Sequence, residues 1–88
     1  MMTSGQLRAA RALLGIDQKA LAALADVSLP TIQRMEASAG VVRGTVETLT
    51  KVIEALNAAG VDLIGENARS EAGGRGVRLR DPSPRQDQ

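Results

Sequence analysis

The chain has 88 residues with eleven basic and ten acidic side chains, a net charge of +1, which describes one small domain with a modest core and no strong overall field. It has neither Cys nor His, which excludes disulfides, the usual zinc sites and a Cys or His nucleophile or base. Phe, Trp and Tyr are also absent, which removes the stacking platforms used by binders of single-stranded nucleic acid.

The opening MMTSGQLRAAR lacks the apolar stretch of a signal peptide, and no run approaches membrane-spanning length, so a cytoplasmic location and no membrane partner are expected. Helix 1 is expected after Thr3, which pairs with Gln6 in a T-x-x-Q capping box; Leu7, Ala10, Arg11 and Leu14 share one face, and Gly15 ends the helix. Asp17 caps helix 2, which runs to about Ala25 and is expected to bury Leu21, Leu24 and Ala25. Asp26 and Val27 make a tight turn, at which Asp tolerates the left-handed backbone better than most residues.

Ser28 caps helix 3, residues 28–37. Pro30 sits in its first turn, where a missing N–H matters little, so the capping bond falls to the N–H of Thr31. Ala22 is small where the second and third helices cross, and Ser28, Ile32 and Met35 are expected to face inward. This is the spacing of a helix-turn-helix, which leaves the opposite side of its second helix free for a DNA major groove.

A loop from Ser38 to Gly44 leads to helix 4, at about Thr45 to Ala59. Its stripe is Val46, Leu49, Val52, Ile53 and Leu56, with Glu47, Lys51 and Glu54 on the wet side, and Gly60 stops it. VDLI at 61–64 and GVRLR at 76–80 alternate like strands, with a flexible loop expected between them. GGRG at 73–76 lacks the Lys-Ser/Thr of a P-loop and reads as part of that loop. DPSPRQDQ, residues 81–88, is expected to be a disordered tail.

On helix 3 the outer positions are Pro30, Gln33, Arg34 and Ala37. Arg34 can bond guanine O6 and N7, and Gln33 adenine N6 and N7; Leu29 and Pro30 reach only thymine methyls or sugar edges. These four are the candidate base contacts, against the alternative of a solvated helix face. Thr31 and Arg43 are candidate phosphate contacts, against a first-turn hydroxyl and an ordinary surface charge. Arg11 lies at the edge of an apolar face and Glu36 one turn after Ile32, so the two are expected to pair as a structural clamp, because an unpaired buried charge is costly.

Residues 6–37 resemble the helix-turn-helix of the phage repressor/Cro (Xre-type) family at Arg11, Leu14, Gly15, Gln18, Leu21, Ala22, Val27, Ile32 and Glu36. VETLTKVIEALNAAGVDL and GVRLR are similar to small bacterial Xre-type regulators, so the resemblance covers most of residues 5–80. Two departures stand out: Asp26 replaces the Gly common at the turn, and Leu29 and Pro30 replace polar residues at the start of the recognition helix. The resemblance implies a mainly α fold, a four-helix repressor/Cro-like domain over residues 1–60 followed by a β-strand pair over 61–80. It implies that Gln18 presents its side chain and backbone N–H to a phosphate, as the anion preference of helix N-termini allows, against the alternative of a simple exposed residue beside the Asp17 cap, and that Arg11 pairs with Glu36.

The implied function is sequence-specific binding of a double-stranded DNA operator by a transcriptional regulator, expected to be a repressor, with no cofactor and no metal. The alternative is an antitoxin that binds a toxin protein and regulates its own operon. No catalytic constellation can be assembled from these residues, so an enzyme is not expected. At a net charge of +1, binding must depend on the local placement of a few charges. A homodimer is expected, because one helix with two polar readers offers little affinity. The strands, too short to stand alone, are expected to pair with those of a second chain and bury Val61, Leu63, Val77 and Leu79; a hairpin folded on its own helix 4 is the alternative.

Overall fold

The computed structural model describes residues 2–65 and 74–80. Four helices, α1 (Ser4–Leu14), α2 (Gln18–Ala25), α3 (Leu29–Glu36) and α4 (Val46–Ala58), are followed by strands β1 (Val61–Ile64) and β2 (Gly76–Leu79). The fold is mainly helical, with the antiparallel strand pair at its C-terminal end. Most of the loop expected between the strands, including Gly73, lies outside the described residues, as does the tail 81–88.

Each helix starts where a side-chain oxygen takes an otherwise orphaned N–H. Thr3 Oγ1 accepts from Gln6 N at 3.0 Å while Gln6 Oε1 accepts from Thr3 N at 2.9 Å, which completes the capping box. Asp17, Ser28 and Thr45 accept from Ala20 N, Thr31 N and Thr48 N at 2.8, 3.2 and 3.1 Å. Such caps contribute about 1 kcal/mol each. Gly15 ends α1 at φ 66°, and Asp26 ends α2 at φ 57°, a left-handed position held by a residue with a Cβ.

One core joins all the elements. Leu7 and Ala10 of α1, Leu21, Ala22 and Ala25 of α2, Ile32 and Met35 of α3, and Leu49, Val52 and Leu56 of α4 are buried together with Met2, Val42 and Val61. Three expectations are corrected. Leu24 is 55% exposed, because at about 100° per residue it falls well off the arc centred on Leu21, Ala22 and Ala25. Val46 is 75% exposed, being the first helical residue and rotated away from the arc through Leu49, Val52 and Leu56. Ser28 is exposed rather than inward, its hydroxyl engaged with Thr31 at the helix start.

The strands pair with each other within one chain, Val61↔Leu79, Asp62↔Arg78, Leu63↔Val77 and Ile64↔Gly76. Val61 is fully buried, and Leu63 and Val77 pack on the core, but Leu79 is 46% exposed. A two-stranded ribbon is marginal in water. Here α1 and α4 support it: the buried Gln6 amide donates to Ile64 O and Gly76 O, both at 2.9 Å. Arg80 closes the end, donating N–H to Gly60 O at 2.7 Å and its guanidinium to Asn57 and Asp62.

Candidate nucleic-acid interface

α3 is held on its inner side and open on its outer one. Ile32 and Met35 are buried and the half-buried Leu29 packs on the core, while Pro30, Gln33, Arg34 and Ala37 are all exposed. The Gln33 and Arg34 side chains make no hydrogen bond or ion pair with the described residues. They are the long polar groups on that face, and both remain available for a ligand. Leu29 differs from them, because its packing leaves only part of its surface outward.

A polar network orients the helix from behind. Arg11 forms a two-point pair with Glu36, Nε to Oε2 at 2.9 Å and Nη2 to Oε1 at 3.0 Å. The Glu36 side chain is 4% exposed and that of Arg11 25%. Gln18 Nε2 donates to the same Oε1 at 3.0 Å, and Arg11 Nη1 reaches Ile16 O at 3.3 Å. Arg8 adds a bond to the backbone at the end of α3, Nη1 to Glu36 O at 2.6 Å. α1 and α2 thus converge on the carboxylate at the C-terminal end of α3, and the α1–α2 turn joins them through Arg11.

Burial pushes the Glu36 carboxyl up, but the hydrogen bonds from Arg11 and Gln18 and the charges of Arg11 and Arg8 outweigh it and hold the carboxyl below its ordinary range. The Arg11 guanidinium is raised in turn, chiefly by its hydrogen bond to Glu36. Arg8 is a member of this network that spacing alone did not single out. Its signal is its position three residues before Arg11, which puts both on one side of α1, next to carbonyls that a helix end leaves free.

The phosphate candidates are placed differently from one another. The Gln18 amide is engaged with Glu36, which leaves the backbone N–H at the start of α2, a group the helix itself does not use. Thr31 is half-buried, with its hydroxyl 2.8 Å from Ser28 Oγ. Arg43 is exposed in the loop between α3 and α4 and without a partner among the described residues.

Pairing also decides which cations stay unengaged at a net charge of +1. Lys51 lies 3.8 Å from Asp26 and 3.9 Å from Glu47, and Arg78 and Arg80 share Asp62. Among the described cations, Lys19, Arg34 and Arg43 have no partner, and all three fall between the start of α2 and the loop after α3. The acids of that stretch are engaged, Asp26 beside Lys51 and Glu36 in the clamp, while Asp17, just before it, caps α2. Sequence spacing did not distinguish Lys19 from any other surface charge; its lack of a partner does.

Among the described residues no helix is long and apolar enough to cross a membrane, and no group of His, Cys, Asp and Glu could hold a metal ion. A protein-family model described as Helix-turn-helix matches residues 7–63, from within α1 to β1. No curated protein gives a significant match. With its four helices, its turn at Asp26 and that match over more than half its length, the chain belongs to the Xre/Cro-like helix-turn-helix family of DNA-binding regulators.

Proposed function

We propose that the protein is a sequence-specific repressor that binds double-stranded DNA as a homodimer, with α3 in the major groove. The observation that carries this reading is the outer face of α3, where Gln33 and Arg34 are exposed and unpartnered while the inner face is locked by core and clamp. Arg34 reads guanine and Gln33 adenine, and Pro30 with the outward part of Leu29 touches thymine methyls. Arg43, Thr31, Lys19 and the first N–H groups of α2 hold phosphates, and Gln18 acts there through its backbone. Repression is steric, by occlusion of a promoter, and a cytoplasmic location goes with it. Footprinting on the DNA upstream of the protein's own gene tests the reading: one discrete protected site supports it, and uniform weak protection overturns it.

Two copies reading half-sites about 34 Å apart would supply the affinity that two polar readers lack. The surface that favours a second copy is an open cleft of about 460 Å³ between α4 and β1, lined by Ile53, Asn57, Val61, Leu63 and Ile64, with Asp62 and Arg78 of opposite charge beside it. β1 uses one edge for β2 and keeps the other for a partner. The same cleft, with its mixed apolar and charged lining, favours a second reading, an antitoxin that holds a toxin protein there. Copurification of a second, different chain would select that reading over the homodimer.

A further inference from the structure

The loop that carries Arg43 is held in place by a segment on the other side of the sequence. Thr3 and Val41 form an antiparallel bridge. Around it, Ser4 N donates to Gly40 O and Val42 N to Met2 O, both at 2.9 Å. Among the described residues, these are the backbone bonds that tie residues 39–44 to the rest of the chain. The side chains reinforce them, because Met2 is 1% exposed and Val42 3%, both within the core. Arg43, immediately after Val42, is exposed and unpartnered.

We propose that Met2–Ser4 is a positioning element for DNA binding: it touches no DNA, but clamps the α3–α4 loop so that Arg43 meets a phosphate while α3 lies in the groove. This rests on the DNA-binding reading above. A loop free at residues 39–44 would have to be ordered at each binding event, at the expense of affinity. Prior fixation of Val42 removes that cost for the neighbouring Arg43. Met2 and Ser4 thereby act on affinity, a role that their burial alone would hide.

The clamp can be opened in two independent ways, each with its own cost in packing, because Met2 and Ser4 are both buried. Ser4 is the first residue of α1, where Pro is favoured, and Thr3 is already extended at φ −92°, ψ 160°, the conformation a following Pro requires. Ser4→Pro therefore deletes the bond to Gly40 O and sets the proline ring against that carbonyl in a site that is 4% exposed, which pushes the loop away from Met2–Ser4. Met2→Ala is the second variant, and Met2→Leu the conservative control. Binding is measured to a short mixed-sequence duplex over a range of salt, with melting curves to set a temperature at which each variant is folded.

Arg43→Ala should lower the salt slope by about 1, a loss of roughly five- to tenfold at 0.1 M salt. Ser4→Pro and Met2→Ala should reproduce much of that loss, and combined with Arg43→Ala they should add little to it, the mark of two residues acting through one contact. Met2→Leu should bind like the unaltered protein. Full additivity with Arg43→Ala, or clamp variants that bind normally, would overturn the proposal, and so would a silent Arg43→Ala. Failure of the DNA-binding reading would look different, as no salt-dependent binding of the unaltered protein at all.

Discussion

Gln18 donates its amide to Glu36 Oε1 at 3.0 Å, on the same oxygen that takes Arg11 Nη2. A residue that family resemblance assigns to phosphate is thus also part of the support of the recognition helix. The bond to Glu36 takes the side chain alone and does not involve the backbone N–H at the start of α2. Gln18→Ala should therefore destabilise the fold by about 1.5–3 kcal/mol, the value of a hydrogen bond to a charged group, and leave the salt slope of DNA binding unchanged. Denaturant unfolding and salt titrations read the two effects separately. A normal fold with a reduced slope would assign the amide to phosphate instead.

The Arg11–Glu36 clamp is asymmetric, because the carboxylate is the deeper partner. Arg11→Ala strands a buried charge and should cost about 3 kcal/mol. Glu36→Ala should cost less, since the quarter-exposed guanidinium can turn toward water. Replacing both with apolar residues should cost less than Arg11→Ala alone. Near-normal melting of Arg11→Ala would contradict the clamp.

Stability should also depend on pH through Glu36. Its folded pKa lies below the unfolded value of about 4.3, so its contribution is complete above that value and is lost as pH falls through the lower, folded pKa. Asp62, lowered chiefly by its hydrogen bond to Arg78, acts in the same direction, so the comparison is with Glu36→Gln, which retains Asp62. The gap in stability between the two proteins should be widest near neutral pH and shrink in acid. A gap that grows as pH falls would contradict the assignment.

Asp26 is left-handed at φ 57°. Asp26→Val should lose about 1–2 kcal/mol, because a branched Cβ is disfavoured there. Asp26→Gly should hold or gain stability, with the surface contact to Lys51 worth at most about 1 kcal/mol. Denaturant unfolding of both variants checks this, and the reverse order would contradict the turn.

The homodimer reading predicts that the chain sediments as a dimer and that Ile64→Lys, which places a charge in the α4–β1 cleft, yields a monomer that melts nearly as before. Removing everything after Gly60 would not test this, because Val61 belongs to the core. A monomeric unaltered chain would contradict it.

What could be read from the chain alone was mostly local. The caps at Thr3, Asp17 and Ser28, the left-handed Asp26 and the small Ala22 follow from neighbours a few residues apart. Arg11 and Glu36 were legible because two charges on inward faces require each other. Leu24 and Val46 were misplaced because a short helix tolerates several rotations of its apolar arc, and only the neighbouring elements select one. Gln6 was legible as half of a capping box but not as the residue that fastens both strand ends, a contact made across most of the chain. Met2, Arg8 and the inward turn of the Gln18 amide were hidden for the same reason: their partners are brought close by the fold, not by spacing.

Base reading by the outer face of α3 stands or falls with Arg34. Affinities of the unaltered protein and of Arg34→Ala are measured at one fixed salt concentration, on the footprinted site and on a scrambled duplex. A contact from Arg34 to a guanine predicts a loss of about 1–3 kcal/mol on the site and a much smaller loss on the scrambled duplex. Equal losses on both would show that Arg34 only holds phosphate, and would contradict base reading by this face.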